Sequence, residues 1–313
     1  MKSFAYLLLF FSFFCLVTLS CSSTDEETME MEDAMEDTDD SSSDDGDSTG
    51  SVEASVMLDV SYGSNAQQVY DIYLPANRTA SKTKVILLVH GGGWTGGDKA
   101  DMTGFVDFVQ ATFPEHAVVN TNYVLATLTG ITAFPNQYED LQTVINQLRS
   151  QKNDLQILPE FGMIGTSAGA HLSMMYDYVY DTTDEVKFVA NIVGPSDFTD
   201  PFYADDPNFD LALALFVDES AYPAGTDYAA INSPVQVVTE SASPTAMFYG
   251  DMDPLVPLTN GNRLDSALFA KGVAHVYSVY SGGHGDNWSD ADQTDLVIKI
   301  GSYIDSYLAI PIQ

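Results

Sequence analysis

The chain has 313 residues, of which 45% are hydrophobic and 12% aromatic, enough apolar material for one large globular domain. It carries 11 Lys and Arg against 45 Asp and Glu, a formal net charge of -34. No basic face could follow a phosphate backbone, so this balance excludes nucleic acid as a partner and favours small neutral substrates.

The start of the chain predicts export. An apolar stretch over residues 4–19 follows a positive charge, as in a secretory signal peptide, and is short for a transmembrane helix. Cys21 follows a small residue, which resembles the lipobox of bacterial lipoproteins, although Thr18 stands where that pattern prefers Leu. We predict a signal peptide over residues 1–20 and a secreted, outer-membrane or cell-surface lipoprotein anchored only through Cys21. An ordinary secretory signal with an incidental cysteine is the alternative.

An acidic segment, residues 21–51, comes next and consists mainly of Asp, Glu, Ser and Thr. Such a composition buries too little apolar surface to offset the entropy of ordering, so we predict a disordered tether. Cys15 lies in the predicted signal peptide and no cysteine follows Cys21, so intramolecular disulfides and cysteine-based metal sites are excluded from the processed chain. Residues 52–313 are predicted to form the folded domain.

Strand-like and helix-like segments alternate along this domain. Several strands are continuous apolar runs, which is typical of strands buried on both faces. The predicted strands are 54–61, 69–74, 85–90, 117–123, 161–164, 187–193, 245–249 and 275–280. The predicted helices are 102–113, 137–151, 168–180, 259–271 and 290–308. The alternation predicts an α/β fold with a mainly parallel, doubly wound sheet, whose first two strands form an antiparallel edge hairpin.

Residues 196–238 interrupt the alternation. They are rich in Asp, Pro, Tyr and Ala and contain one helical segment, 209–218. Long excursions of this kind in a compact domain usually form lids or binding loops. We predict a lid-like insertion over the site, with a surface loop as the alternative.

The pentapeptide G-x-S-x-G spans Gly165 to Gly169, between a predicted buried strand and a predicted helix. In this setting the flanking glycines permit a turn tight enough to hold Ser167 strained and exposed. The helix that begins at Ala168 directs its positive end toward developing negative charge. Ser167 is therefore the predicted nucleophile, and a turn of small residues within a sheet is the structural alternative.

A nucleophilic serine needs a base, and the base needs an orienting carboxylate. Among the five histidines, His284 is the candidate base because it lies in a Gly-rich loop directly after a predicted strand. His171 lies on the helix face of Ser167, but its side chain should lean away from the serine, which predicts a packed structural role. Asp253, with Asp251 close by, follows another strand and is the candidate acid.

Residues 90–97 read HGGGWTGG and contain the letters G-x-G-x-x-G of a dinucleotide-binding turn. Such a turn must open a helix and be followed by an acidic residue at the end of the next strand, and both features are missing. The run fits instead a loop whose bare amides face the serine. Gly92, Gly93, Trp94 and Ala168 are the predicted region of backbone donors for the oxyanion of a tetrahedral intermediate.

Together these motifs resemble α/β-hydrolases of the esterase and lipase group, nearest the branch with bacterial feruloyl and acetyl-xylan esterase domains and kynurenine formamidase. The matching segments are HGGGWTGGDK, NYVLA, AFPNQYEDLQTVINQL, GTSAGAHL, NIVGPSDFTD, INSPVQV, SPTAMFYGDMDPLVP and GGHGDN. The resemblance implies an α/β-hydrolase fold with Ser167 as nucleophile, His284 as base and Asp253 as acid, in the chain order of that fold. The chain departs from the family at Val124, usually Arg, and at Ala170, commonly Gly.

The expected function is a serine carboxylesterase that acts through an acyl-enzyme and requires no metal or organic cofactor. Acetyl or feruloyl esters, small or linked to polysaccharide, are the expected substrates. Amide hydrolysis by a formamidase or peptidase uses the same groups and is the enzymatic alternative. A non-catalytic surface lipoprotein that binds ligands is the alternative from another class.

Overall fold

A computed structural model describes residues 52–311, so the predicted signal peptide, Cys21 and the acidic tether lie outside the described residues. Eight strands form one sheet in the order β1-β2-β4-β3-β5-β6-β7-β8. The strands are β1 Ser55–Ser61, β2 Val69–Leu74, β3 Val85–Val89, β4 Ala117–Thr121, β5 Phe161–Thr166, β6 Val186–Ile192, β7 Thr245–Gly250 and β8 His275–Tyr280. Strand β2 pairs antiparallel with β1 and β4, and every other pairing is parallel. The predicted fold class and edge hairpin are confirmed.

Five longer helices cover the two faces of the sheet. They are α1 Thr103–Thr112, α2 Asn136–Ser150, α3 Ala168–Met175, α4 Leu258–Lys271 and α5 Asp290–Tyr307. Helices α2, α3 and α4 pack into one hydrophobic core, and α1 and α5 into the other. The predicted helix over 168–180 is α-helical only to Met175 and continues as a π-helical turn, Tyr176–Tyr180. None of the helices within residues 52–311 is long and apolar enough to cross a membrane.

Strand β3 explains why an unbroken apolar run is needed at the centre of the sheet. Its alternate residues Val85, Leu87 and Val89 join the core under α2 to α4, while Ile86 and Leu88 join the core under α1 and α5. Side chains of a strand point alternately to opposite faces, so both faces of this strand require apolar residues. The loop that follows β3 therefore starts from a rigid, fully buried base.

The segment between β6 and β7 contains five short helical segments. They are Pro201–Ala204, Phe209–Ala214, Glu219–Ala221, Tyr228–Ile231 and Pro234–Val237. The predicted helix over 209–218 thus ends four residues early. Asp200, Asp218 and Asp227 cap three of these segments, and each side chain accepts a hydrogen bond from a backbone N–H of the first turn. We call residues 196–238 the insertion.

Candidate active site

The structure brings Ser167, His284 and Asp253 together from three separate loops at the carboxyl edge of the sheet. The Ser167 hydroxyl lies 2.8 Å from Nε2 of His284, and Nδ1 of His284 lies 2.7 Å from Oδ2 of Asp253. With the imidazole donating from Nδ1 to the carboxylate, Nε2 is free to accept the serine proton. The three predicted residues form one hydrogen-bonded chain from hydroxyl to carboxylate.

The turn around Ser167, residues 165–169, is held by backbone contacts. Ser167 has φ 51° and ψ -119°, a conformation that is costly for a residue with a side chain. Its N–H donates to the carbonyl of Ile192 at 2.8 Å, which ties the turn to β6. A Cβ on Gly169 would lie 2.2 Å from the carbonyl oxygen of Val89. We call residues 165–169 the serine turn: its shape depends on the absence of side chains around the serine.

The two neighbouring aspartates have different partners. Asp253 has a fully buried side chain, and its Oδ1 accepts from the N–H groups of Leu255 and Val256 at 2.8 and 3.0 Å. These bonds leave Oδ2 directed at His284. The Oδ1 atom of Asp251 instead accepts from the N–H of Gly282 at 3.0 Å, in the loop that carries the histidine. Asp253 thus contacts the imidazole of His284, whereas Asp251 contacts the backbone of the loop that carries it.

The loop after β3, residues 90–97, is called the glycine loop. Gly92, Gly93 and Trp94 have φ angles of 111°, 57° and 63° in succession. Within the described part of the chain, no hydrogen-bond acceptor is present for the N–H of Gly92 or Gly93. Ala168 is the first residue of α3, so its N–H has no acceptor within the helix. A Cβ built on Gly91 would lie 3.2 Å from that of Ser167, which places the loop against the serine.

Side chains from distant parts of the chain fix the glycine loop. The Tyr123 hydroxyl donates to the carbonyls of His90 and Gly91 at 3.0 and 3.2 Å. The His90 ring stacks on Tyr123 with centroids 4.3 Å apart, and burial lowers the pKa of His90. The Gln137 side chain donates to the carbonyl of Trp94 at 2.8 Å. Sequence reasoning missed Tyr123 and Gln137 as site residues, although both lie in segments matching the family.

The two departures from the family pattern are accommodated locally. At Val124, the backbone N–H donates to Oδ2 of the buried Asp140 at 2.8 Å, and Gln68 donates to Oδ1 at the same distance. Burial raises the pKa of Asp140, and the hydrogen bonds from Val124 and Gln68 oppose that rise. The methyl group of Ala170 lies 2.7 Å from where a Cβ on Gly194 would stand, so the glycine at 194 makes room for it. Neither departure alters the groups around Ser167.

His171 lies on α3 beneath the site, and its ring makes no hydrogen bond with Ser167. It is fully buried, and its ring nitrogens contact Nε1 of Trp94 and the carbonyl of Asn232. Burial lowers its pKa to about 4. Residues 52–311 contain no cluster of His, Cys, Asp and Glu that could hold a metal ion.

Comparison with known proteins gives one family match and several structural neighbours. The sequence model of the BD-FAE family matches residues 70–268. Esterase LipC of Mycobacterium tuberculosis (strain ATCC 25618 / H37Rv) is 23% identical over 249 residues, covering 75% of this chain. The chain spans only 61% of the length of that relative.

Solved esterase structures have the same fold. A truncated form of carbohydrate esterase from gut microbiota has a TM-score of 0.63 at 19% identity, over 80% of this chain and 97% of its own. The propionate-bound structure of a thermophilic esterase from the Planctomycetes species Thermogutta terrifontis has a TM-score of 0.64 at 15% identity, over 80% and 93%. At these identities the likeness establishes the fold alone.

Proposed function

Since the chain belongs to the BD-FAE family of α/β-hydrolase esterases, we propose that it hydrolyses carboxylic esters with Ser167 as nucleophile, His284 as general base and Asp253 as the residue that orients the base. The observation that carries this proposal is the continuous hydrogen-bonded chain from the Ser167 hydroxyl through His284 to a buried carboxylate. A strained serine beside the amides of Gly92 and Gly93, which have no acceptor among the described residues, is the arrangement that acyl transfer needs.

The proposed reaction has two stages. Ser167 Oγ attacks the ester carbonyl as His284 Nε2 takes its proton, and the carbonyl oxygen becomes an oxyanion facing Ala168 and the glycine loop. The tetrahedral intermediate collapses, and His284 returns the proton to the departing alkoxide, which leaves as an alcohol. Water, activated by the same imidazole, then attacks the acyl-enzyme and releases the carboxylic acid and free Ser167.

Substitution of the three residues tests the proposal directly. Ser167→Ala should lower kcat for a short p-nitrophenyl ester by about 10³-fold or more, because the nucleophile is lost. Asp253→Asn should lower kcat by about 10³- to 10⁴-fold, since the imidazole would take the wrong tautomer. Asp251→Asn is the matched control, with a loss of roughly 3-fold, because Asn still accepts from Gly282.

Two outcomes would contradict these roles. Full activity in folded Ser167→Ala would remove Ser167 as the nucleophile. A larger loss in Asp251→Asn than in Asp253→Asn would move the acid. Labelling with a fluorophosphonate probe separates an enzyme from a binding module, because a serine without an activating base should not react.

We propose acetyl or feruloyl esters, including those linked to polysaccharide, as the substrate class. The support is the family match together with a structural neighbour described as a carbohydrate esterase. Hydrolysis rates on acetylated xylan, methyl ferulate, medium-chain esters and N-formylkynurenine would test this assignment. A kcat/KM on N-formylkynurenine above every ester would favour an amide hydrolase instead.

We also propose export with a lipid anchor on Cys21, which the sequence pattern supports. Metabolic labelling with a fatty acid should mark the full chain and should fail for Cys21→Ser. Labelling that persists in the variant would rule out this cysteine as the anchor.

A further inference from the structure

The backbone of Trp94, in the glycine loop, adopts a conformation that is unfavourable for a residue with a bulky side chain. Gly92 and Gly93 adopt positive φ freely, but Trp94, at φ 63°, is a bulky residue in the left-handed region. Contacts elsewhere must therefore stabilise the backbone at Trp94. Its carbonyl accepts from the N–H of Ala126 and the side chain of Gln137 at 2.9 and 2.8 Å.

The indole of Trp94 packs among aromatic rings, and the residue is 7% exposed. The rings of Phe134, His171, Phe198 and Phe216 meet it edge-on, with centroids 5.3 to 5.9 Å away. Phe198 and Phe216 belong to the insertion. The residue that shapes the glycine loop is thus enclosed partly by the insertion.

Two hydrogen bonds in series fix the direction of the indole. Nε1–H of Trp94 donates to Nδ1 of His171 at 3.3 Å, and Nε2–H of His171 donates to the carbonyl of Asn232 at 2.8 Å. A neutral imidazole has one donor and one acceptor nitrogen. The carbonyl of Asn232 therefore selects the tautomer in which Nδ1 accepts from Trp94.

His171 consequently connects three parts of the molecule. It lies on α3, where its backbone N–H donates to the carbonyl of Ser167 at 3.1 Å. Asn232 lies in the insertion, where its side chain accepts from the hydroxyl of Tyr138 at 3.0 Å and donates to the carbonyl of Tyr228 at 2.9 Å. A displacement of the insertion at Asn232 would reach the glycine loop through a single buried ring.

We propose that His171 is a positioning residue for the oxyanion. By accepting the indole N–H, it sets the orientation of Trp94 and so the amides of Gly92 and Gly93 relative to that of Ala168. The inference rests on the proposed function, since these amides matter to rate only if an oxyanion forms between them. It also makes the insertion a contributor to oxyanion geometry through the Asn232 carbonyl.

Three variants test the role of the Trp94–His171 hydrogen bond. His171→Leu removes acceptor and donor, Trp94→Phe removes the indole donor, and His171→Gln retains an acceptor and a donor. With p-nitrophenyl acetate, kcat should fall about 10- to 100-fold in His171→Leu and about 10-fold in Trp94→Phe, because misplaced donors weaken the transition state. KM should stay within about 2-fold, and His171→Gln should recover kcat to within about 3-fold of wild type.

Tyr303→Phe is the matched control, since it removes a buried hydrogen bond to the Thr245 carbonyl on the opposite face of the sheet. It should lower the melting temperature and leave kcat unchanged. Folded His171→Leu with wild-type kcat would overturn the proposal, as would His171→Gln as impaired as His171→Leu. If His171→Leu fails to fold, the kcat values of Trp94→Phe and His171→Gln are compared instead. A folded Trp94→Phe with the kcat of His171→Gln or higher would then overturn the proposal. Wild type is assayed first: failure to hydrolyse any ester would overturn the proposed function itself, and this inference with it.

Discussion

The serine turn and the glycine loop meet at the same point, yet they differ in how far they depend on remote side chains. Around Ser167, close backbone contacts leave no space for side chains, as the 2.2 Å approach at Gly169 illustrates. The glycine loop is packed as closely at Gly92, where a Cβ would lie 2.1 Å from the carbonyl oxygen of Gly96, but it is also held by remote side chains, above all Tyr123 and His171. Ser167 is therefore held by close backbone packing, and the amides of Gly92 and Gly93 by close packing together with long-range side-chain contacts. Substitutions in the two regions should therefore differ in their effects on stability and on activity.

The largest effect is expected at Gly169 in the serine turn. In Gly169→Ala the methyl group would meet the carbonyl oxygens of Val89 and His90 at 2.2 and 2.3 Å, and a backbone cannot rotate away. We expect loss of about 3 kcal/mol or more in stability and of most activity, measured by thermal denaturation and ester hydrolysis. Gly104→Ala, in α1 with no atom within 4 Å, is the control and should stabilise by up to about 1 kcal/mol. Equal melting temperatures for both variants would contradict the steric account.

A smaller effect is expected from Tyr123→Phe in the glycine loop. The variant keeps the ring stacked on His90 but loses the hydroxyl that donates to two backbone carbonyls. We expect a loss of about 1–2 kcal/mol in stability and about 10-fold in kcat with little change in KM. If stability falls while kcat stays at the wild-type value, Tyr123 supports the fold and not the oxyanion.

The smallest effect on activity is expected at Asp177, in the π-helical turn that follows α3. Burial raises the pKa of Asp177 to about 7, and the carboxylates of Asp181 and Asp184 add to that rise. Its two carboxyl oxygens accept from the N–H and hydroxyl of Ser243. A carboxyl with a higher pKa in the folded state than in the unfolded state binds its proton more tightly when folded. Its stabilisation is therefore full below about pH 4 and is lost as the pH rises through about 7.

Asp177→Asn tests this pH dependence and its separation from the site. The amide retains a donor and an acceptor for Ser243 and cannot ionise, so the variant should melt roughly 2–8 °C above wild type at pH 8. The difference should shrink toward pH 5, and kcat should not change. A variant less stable than wild type at pH 8 would show that the carboxylate form is the one the fold favours.

The sequence predicted the local features well. Apolar runs located the strands because a strand buried on both faces, such as β3, requires an apolar residue at every position. The serine turn was evident because its small residues are adjacent in the chain. Asp253 and His284 could be selected because parallel strands carry their following loops to one edge of the sheet.

Long-range side-chain contacts were beyond sequence reasoning. The pairing of Trp94 with His171 joins positions 77 apart, and no local pattern indicates which buried ring a tryptophan will meet. The same holds for Arg263, which pairs at 2.6 Å with the buried Asp197 at the start of the insertion. The sequence offered a packed role for His171 but could not identify its partners, because those depend on how α3 and the insertion meet.

The insertion has local features that bear on whether it could be exchanged for another segment. Its short helices are capped by its own aspartates, and it leaves and re-enters the sheet at fixed strands, so an exchange between relatives would have to keep the apolar side chains that it packs into the core, such as Phe198, Phe209 and Leu213. The His171 contact sets one condition on any such exchange: the incoming segment must present a carbonyl where Asn232 does now. A graft that ignores it would alter substrate range and catalytic rate together, whereas a graft that respects it would separate the two.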